Sequence, residues 1–378
     1  MINVVELSKK LISKRSITPN DDGCQNIIID VIRDLNFKID HFKSGRVDNL
    51  LAIKGDGVPV FVFSGHTDVV DPGSLQDWKY NPFVPTIVDK TLYGRGAVDM
   101  KCSLAAMITS TYEFIKRNPN LKGTICFAIT SGEEGIHSFD GTPEILDRLQ
   151  DQCNKIDWCL VGEPSSEKTF GDTIKVGRRG SLTGYLSLYG NSGHVAYPNS
   201  VNNPIHLAVR ILNRLVEKKW DQGDNLFEPT SLQISSFSSN TIDANVTPRE
   251  LKIILNFRFN PRSKVEFFKQ YVEKELREHN LQYNIEWKLF GEPYFTHSCK
   301  LIDVAKEALN KITRVNPKLS TSGGTSDGRF FSKNDIDVIE IGLLNETIHK
   351  INERTKVNDI VMLEKTYLQI LESLFESK

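Results

Sequence analysis

Seven acidic and imidazole side chains follow short apolar runs or glycine turns, where a fold could bring them together. The run Val58 to Phe63 leads into Ser64-Gly65-His66-Thr67-Asp68, which puts an imidazole and a carboxylate just past a strand end. A metal-ligating histidine commonly needs a carboxylate to orient its ring, and Asp68 is close enough in sequence to serve. A lone histidine hydrogen-bonded at a strand terminus is the plain alternative. The segment Gly94-Arg95-Gly96-Ala97-Val98-Asp99 turns through glycines and delivers Asp99 at the start of a helical pattern running to Ile115. Aspartate is also favoured there simply as a helix N-cap.

Glu133 and Glu134 lie between Gly132 and Gly135 after the apolar run Thr124 to Ile129. Adjacent carboxylates in an apolar setting repel each other, and a cation would relieve the repulsion. If Glu134 ligates a metal, Glu133 projects differently and is free to take the proton of a hydrolytic water as general base; a solvated loop is the competing reading. Glu163 follows a third run, Trp158 to Val161, and His349 follows a fourth, Val338 to Leu343. Two histidines and three carboxylates (His66, Asp99, Glu134, Glu163, His349) form an oxygen-and-imidazole set that suits zinc, cobalt or manganese better than thiolate-loving metals. Five such groups suit two ions sharing a bridge, and Asp99 is the bridge candidate.

These residues need elements to hold them. At 378 residues the chain exceeds the usual span of one hydrophobic core, so two domains are expected. The first part alternates β-rich apolar runs with helical patterns, the mark of an α/β fold with a mixed, mostly parallel sheet flanked by helices. In such sheets ligands bind beyond the carboxyl ends of the strands, where the acidic clusters fall. From about Gly180 the pattern becomes strand (Ser181 to Tyr189), helix (Pro204 to Lys218), strand (Ser231 to Ser236), strand (Leu251 to Phe259), helix (Lys264 to His279), strand (Tyr283 to Phe290). That is the β-α-β-β-α-β order of a ferredoxin-like α+β domain. A helix from Leu301 to Ile312 and the run Val338 to Leu343 then resume the first pattern. The expected division is a catalytic domain of 1–179 and 292–378 with 180–291 inserted as a dimerisation or lid domain.

Composition narrows the partners. With 25% charged residues and a net charge of -1, nothing suggests a footprint for nucleic acid or anionic membrane, and small molecules or protein surfaces are expected instead. No apolar stretch is long enough for a spanning helix, and the N-terminal segment mixes charges into a helical pattern, unlike a signal peptide. Six cysteines without regular spacing fit reduced thiols, so a cytoplasmic location is expected.

The ordered set G-H-T-D, G-R-G-A-x-D-M-K, the E-E-G turn, G-E-P and T-I-H-K-I-N-E resembles the zinc-dependent aminoacylase, carboxypeptidase and deacylase family over essentially the whole chain. The resemblance implies a zinc-peptidase-like catalytic domain in which His66, Asp99 and Glu163 hold one zinc and Asp99, Glu134 and His349 the other. It implies Glu133 as the general base and Asp68 as the residue that orients His66, with cobalt able to substitute for zinc. It also implies a homodimer in which His194, within Gly190 to Pro198, reaches the active site of the second copy and stabilises the oxyanion. Thr321 to Phe330 and Asn345 to Glu353 narrow the implied substrate to N-succinyl-L,L-2,6-diaminopimelate, an intermediate on the way to lysine and cell-wall precursor. An acetylated amino acid or a dipeptide is the nearest alternative. Arg178 and Arg258 match family positions for bidentate carboxylate capture, and Ser181, Tyr197, Asn245, Thr325 and Asn345 are implied substrate contacts. Cys102, Gly132, Ser192 and Glu346 depart from the family's usual Gly, acidic residue, Gln and small residue.

Overall fold

The runs after Val58 and Thr124 form the strands Val60–His66 and Gly123–Thr130, every residue of which is buried. Continuous burial rather than alternation marks strands covered on both faces. The computed structural model describes residues 3–153, 155–241, 243–279 and 282–375. The first strand starts at Val60 rather than Val58 because Pro59 has no N–H to give to a ladder; Val58 is 70% exposed, and the Val60 N–H donates to Asp157 Oδ2 at 2.9 Å.

Two compact units emerge, one of Met1–Gly177, Phe295–Ser320 and Ser326–Lys378, the other of Arg178–Tyr294 with Thr321–Thr325. The first unit carries an eight-stranded sheet in the order Lys38–Ser44, Val47–Asp56, Gly123–Thr130, Val60–His66, Trp158–Val161, Asp337–Glu340, Thr173–Lys175, Lys318–Ser320. Val60–His66 runs parallel to both its neighbours, and Asp337–Glu340 is parallel to Trp158–Val161. Helices flank this sheet. Lys101–Arg117 packs against Val4–Ile12 and Val357–Phe375, and Thr142–Gln150 packs against Val47–Asp56 and Gly123–Thr130. Phe63 sits where these layers meet, its ring 6.0 Å from Phe127 and 5.3 Å from Tyr367.

The second unit is an antiparallel sheet in the order Ser231–Ser239, Glu250–Phe259, Gly180–Tyr189, Gln282–Gly291, with helices Pro204–Glu217 and Val265–Glu278 between the strands in sequence. Chain order and pairing are those of a ferredoxin-like domain. The edge strand passes an irregularity between Ile234 and Ser236 and runs on to Ser239, where exposed serines carry no apolar signal. Its core centres on Phe257, with Trp220 and Phe268 each at 4.9 Å between ring centroids. Among the described residues, no helix is long and apolar enough to cross a membrane. Cys126 and Cys159 are buried free thiols.

Because Phe257 is fully buried between two aromatic neighbours, Phe257→Ala is expected to destabilise the second unit by about 3–5 kcal/mol. Denaturant unfolding followed by tryptophan fluorescence measures this, and a loss of under about 1 kcal/mol would mean that the aromatic cluster collapses to fill the gap.

Candidate metal centre

Sheet order alone gathers half of the site. Gly123–Thr130, Val60–His66 and Trp158–Val161 lie side by side and parallel, with His66 opposite Thr130 and Ser64 opposite Val161. The residues at or just past their carboxyl ends, Glu133 and Glu134, His66, and Glu163, therefore share one edge of the sheet. Gly65 and Gly162 each precede a candidate ligand, and both leave room for Met100: a Cβ on Gly162 would lie 2.6 Å from Met100 Cε, and one on Gly65 would clash with the same methyl group. Met100 thus presses onto the sheet and brings the preceding Asp99 over it.

Asp99 is not the helix cap. The helix Lys101–Arg117 begins after Met100, which makes no side-chain capping bond. The Asp99 carboxylate instead stands between two imidazoles, with Oδ1 3.1 Å from His66 Nε2 and Oδ2 3.2 Å from His349 Nε2. His66 Nε2 also lies 3.5 Å from Glu163 Oε1, and His349 Nε2 lies 2.9 Å from Glu134 Oε1. Each imidazole thus faces Asp99 and one glutamate. On its other side His66 Nδ1 lies 2.9 Å from the Asp68 carbonyl oxygen and 3.5 Å from its carboxylate. That carboxylate accepts the N–H groups of Glu133 at 3.3 Å and Glu134 at 3.1 Å, so Asp68 holds the histidine and the glutamate turn together. His349 is the open side of the cluster, 46% exposed and left-handed at φ 58°.

The electrostatics show how much negative charge is packed here. Burial and the neighbouring Asp99 push Glu163 up to about 7, and the same two causes push Glu134 up to about 7. Glu133 is raised well above the carboxylate range by loss of solvation and by Glu163. Burial would lower the His66 imidazolium, but Asp68, Asp99 and Glu163 outweigh it and raise it well above the ordinary value. Asp99 and Glu134 raise His349 to about 10, while burial of Asp99 is outweighed by the two imidazoles, which lower its carboxyl. A cluster of this charge calls for positive charge to keep its carboxylates ionised.

Donor atoms of His66, Asp99 and Glu134 lie within 4.8 Å of one another, as do those of His66, Glu133 and Glu163. The donor chemistry fits divalent ions of the zinc type, with two nitrogens and several carboxylate oxygens. Glu133 is close enough to bind, but Glu134 has the ion pair to His349 and Glu163 the one to His66. Among the described residues, Glu133 has no such imidazole partner of its own and shares its group with His66 and Glu163. Gly132, in place of an acidic residue, is explained by packing, since a Cβ there would lie 2.6 Å from Val47 Cγ2.

Most of the expected substrate contacts lie in the second unit. Ser181 pairs in register with Arg258, whose Nε donates to Asn256 Oδ1 at 3.0 Å and whose Nη1 donates to Thr325 Oγ1 at 3.0 Å. Arg178 Nη1 donates to the Ser322 carbonyl at 2.9 Å. Asn256, which sequence reasoning passed over, also donates to Ser181 Oγ at 3.2 Å and so ties the group together; its spacing two residues before Arg258 on one strand face was the available signal. His194 and Tyr197 belong to one exposed turn, in which His194 Nδ1 accepts the Ala196 N–H at 3.1 Å, and Asn245 to another that pairs with it, its carbonyl accepting the Val195 N–H at 3.0 Å. Ser192 Oγ donates to the Thr247 carbonyl at 2.9 Å, and Glu346 is exposed. Asn345 is in the first unit, its N–H donating to the Ser166 carbonyl at 3.0 Å. Glu353, also overlooked, is buried beneath Asp99, with Oε1 accepting the Asp99 N–H at 3.1 Å.

The chain is similar to known proteins along its whole length. Residues 62–373 match the model of peptidase family M20/M25/M40. The succinyl-diaminopimelate desuccinylase of Methylobacillus flagellatus is 46% identical over 376 residues, and that of Nitrosospira multiformis 45% over 379, each alignment covering 100% of both chains. In fold, an M20 family metallo-carboxypeptidase from Sulfolobus solfataricus superposes with a TM-score of 0.86 at 19% identity, covering 99% of each chain. A Bacillus subtilis protein described as a dinuclear metal binding peptidase from the M20 family gives 0.71 at 13% identity, covering 99% of this chain and 98% of that one. With the family model spanning most of the chain and relatives this close over its full length, the chain belongs to peptidase family M20/M25/M40.

Proposed function

We propose that this chain is a dinuclear metal-dependent amidohydrolase that cleaves N-succinyl-L,L-2,6-diaminopimelate to succinate and L,L-diaminopimelate, on the route to lysine and peptidoglycan precursor. The observation that carries the reaction is the Asp99 carboxylate standing between His66 and His349, with a second glutamate at each imidazole and Glu133 alongside. The substrate rests on the full-length similarity to relatives named for that reaction.

His66, Asp99 and Glu163 would hold one zinc ion and Asp99, Glu134 and His349 the other, with cobalt able to substitute. When bound, such ions supply the Lewis acidity that polarises an amide carbonyl and acidifies water. Glu133 takes the proton of the attacking water and returns it to the amine nitrogen as the C–N bond breaks. Asp68 steadies His66 through its carbonyl and the glutamate turn through its carboxylate. His194, exposed on its turn, completes the active site of a second copy of the chain and donates to the oxyanion. Arg178 and Arg258 receive the substrate carboxylates, with Ser181, Tyr197, Asn245, Thr325 and Asn345 as further contacts. In this reading 1–179 and 292–378 are the catalytic domain, 180–291 form the dimerisation domain of a homodimer, and the enzyme works in the cytoplasm.

The direct test is hydrolysis by chelator-stripped protein and by protein reloaded with zinc, on the succinyl substrate and on N-acetylornithine. Zinc-restored activity on the succinyl substrate supports the proposal; activity only on the acetyl compound keeps the chemistry and overturns the substrate. Glu133→Gln should cut turnover by roughly 100- to 10,000-fold while metal content stays near normal. Loss of metal in that variant would instead make Glu133 a ligand.

Metal must also displace protons. Burial and Asp99 push Glu134 and Glu163 up to about 7, and Asp99 and Glu134 raise His349 to about 10, so apparent metal affinity should fall as pH falls and rise as it is raised through that range. Calorimetric zinc titrations at pH 7 in buffers of different ionisation enthalpy should show net proton release, and binding without it would contradict the ligand set.

A further inference from the structure

Glu353 is fully buried and lies at the end of the loop that carries His349. Its carboxylate is saturated by donors from a different loop, the one that carries Asp99. Oε1 accepts the N–H groups of Val98 at 2.7 Å and Asp99 at 3.1 Å, and Oε2 accepts those of Gly96 at 3.0 Å and of Arg95 Nη1 at 2.7 Å. The Gly94 N–H donates to the Glu353 carbonyl at 3.0 Å, so the main chains are joined as well. Arg95 extends the link in the other direction: Nη1 donates to the Lys350 carbonyl at 3.3 Å and Nη2 to that of His349 at 3.5 Å. Its guanidinium is fixed over the Trp78 ring, 5.2 Å from the centroid.

This link has a specific job to do. His66 and Glu163 are placed by parallel strands of the main sheet, whose ladder sets their spacing. Asp99 and His349 have no such ladder between them. The Asp99 loop turns at Gly96, with a φ of 84° that glycine adopts freely, while the His349 loop passes through left-handed backbone at His349 and Asn352, with φ of 58° and 61°, conformations that tertiary contacts must hold. The short pairing of Arg354–Lys356 with Thr91–Tyr93 roots both loops but stops before either candidate ligand. Past that point, apart from the contact between Asp99 and His349 themselves, Glu353 and Arg95 cross between the two loops.

We propose that Glu353, acting with Arg95, is a positioning residue that sets the distance between Asp99 and His349, and so the spacing of two ions bridged by Asp99, without itself touching metal or substrate. The inference rests on the two-ion reading of the site given above. Glutamine tests it sharply: it has the size of glutamate, but its amide nitrogen must face one of the two donor pairs, so the loop bonds on that side are lost while the cavity stays filled.

The experiment uses manganese as probe. Unaltered protein loaded with two equivalents of Mn2+ is expected to give an electron paramagnetic resonance spectrum of a spin-coupled pair. Glu353→Gln should shift that spectrum toward isolated ions and weaken manganese binding by roughly 10- to 100-fold, while far-ultraviolet circular dichroism confirms that the chain is folded. Arg95→Lys keeps the charge but not the forked reach to the His349 carbonyl, and should show the same loss of coupling if Glu353→Gln does not fold. Coupling and affinity unchanged in a folded Glu353→Gln variant would overturn the proposal. A spectrum of isolated ions from the unaltered protein would overturn the two-ion reading, and this inference with it.

Discussion

Asp99, Glu133, Glu134 and Glu163 converge on two imidazoles at a place largely closed to water, and their mutual repulsion is the constraint that the rest of the structure serves. Two like charges about 4 Å apart cost about 4 kcal/mol at the effective dielectric of a protein interior, so four such groups cannot all stay ionised there without positive charge. The upward shifts of Glu134, Glu163 and His349 from their ordinary values are the mark of that demand. A pair of divalent cations is the natural source of that charge. The cluster stores the cost of assembling a site whose occupant is a metal.

That cost is met by the fold in two ways. The sheet fixes what can be placed at parallel strand ends, and the glycines at Gly65 and Gly162 let Met100 settle on it, bringing Asp99 into line. Loops supply the remainder. Asp68 ties the Glu133–Glu134 turn to His66, and Glu353 with Arg95 ties the Asp99 loop to the His349 loop. Asp68 and Glu353 are buried carboxylates with both oxygens accepting hydrogen bonds, the arrangement in which such groups hold a unique geometry instead of weakening the core.

Much of this was legible in the sequence because it rests on local pattern. The strand Gly123–Thr130 is an apolar run ended by glycine and acid, and the elements of the second unit follow alternation and helical periodicity closely enough that their order alone named the ferredoxin-like arrangement. Legibility failed where position depends on distant partners. Asp99 could be picked as a bridge candidate only from the whole donor set, because locally a helix cap competes; the helix in fact starts after Met100 and the carboxylate faces two histidines far away in the chain. Glu353 has no local signature, because its donors lie more than 250 residues earlier. Asn256 was hidden inside an ordinary strand pattern, since only its cross-strand register shows that it joins Ser181 to Arg258. For His194 and the substrate contacts, residue types and spacing were silent, and family resemblance supplied the expectation.

The central claim is that Asp99 bridges two metal ions while Glu133 stands free of both. Anomalous X-ray diffraction from zinc-loaded crystals tests it most directly. Two zinc peaks are expected about 3.5–4 Å apart, one beside His66 and Glu163, the other beside His349 and Glu134, with one Asp99 oxygen on each. A single peak, or a peak with Glu133 among its ligands, would contradict it.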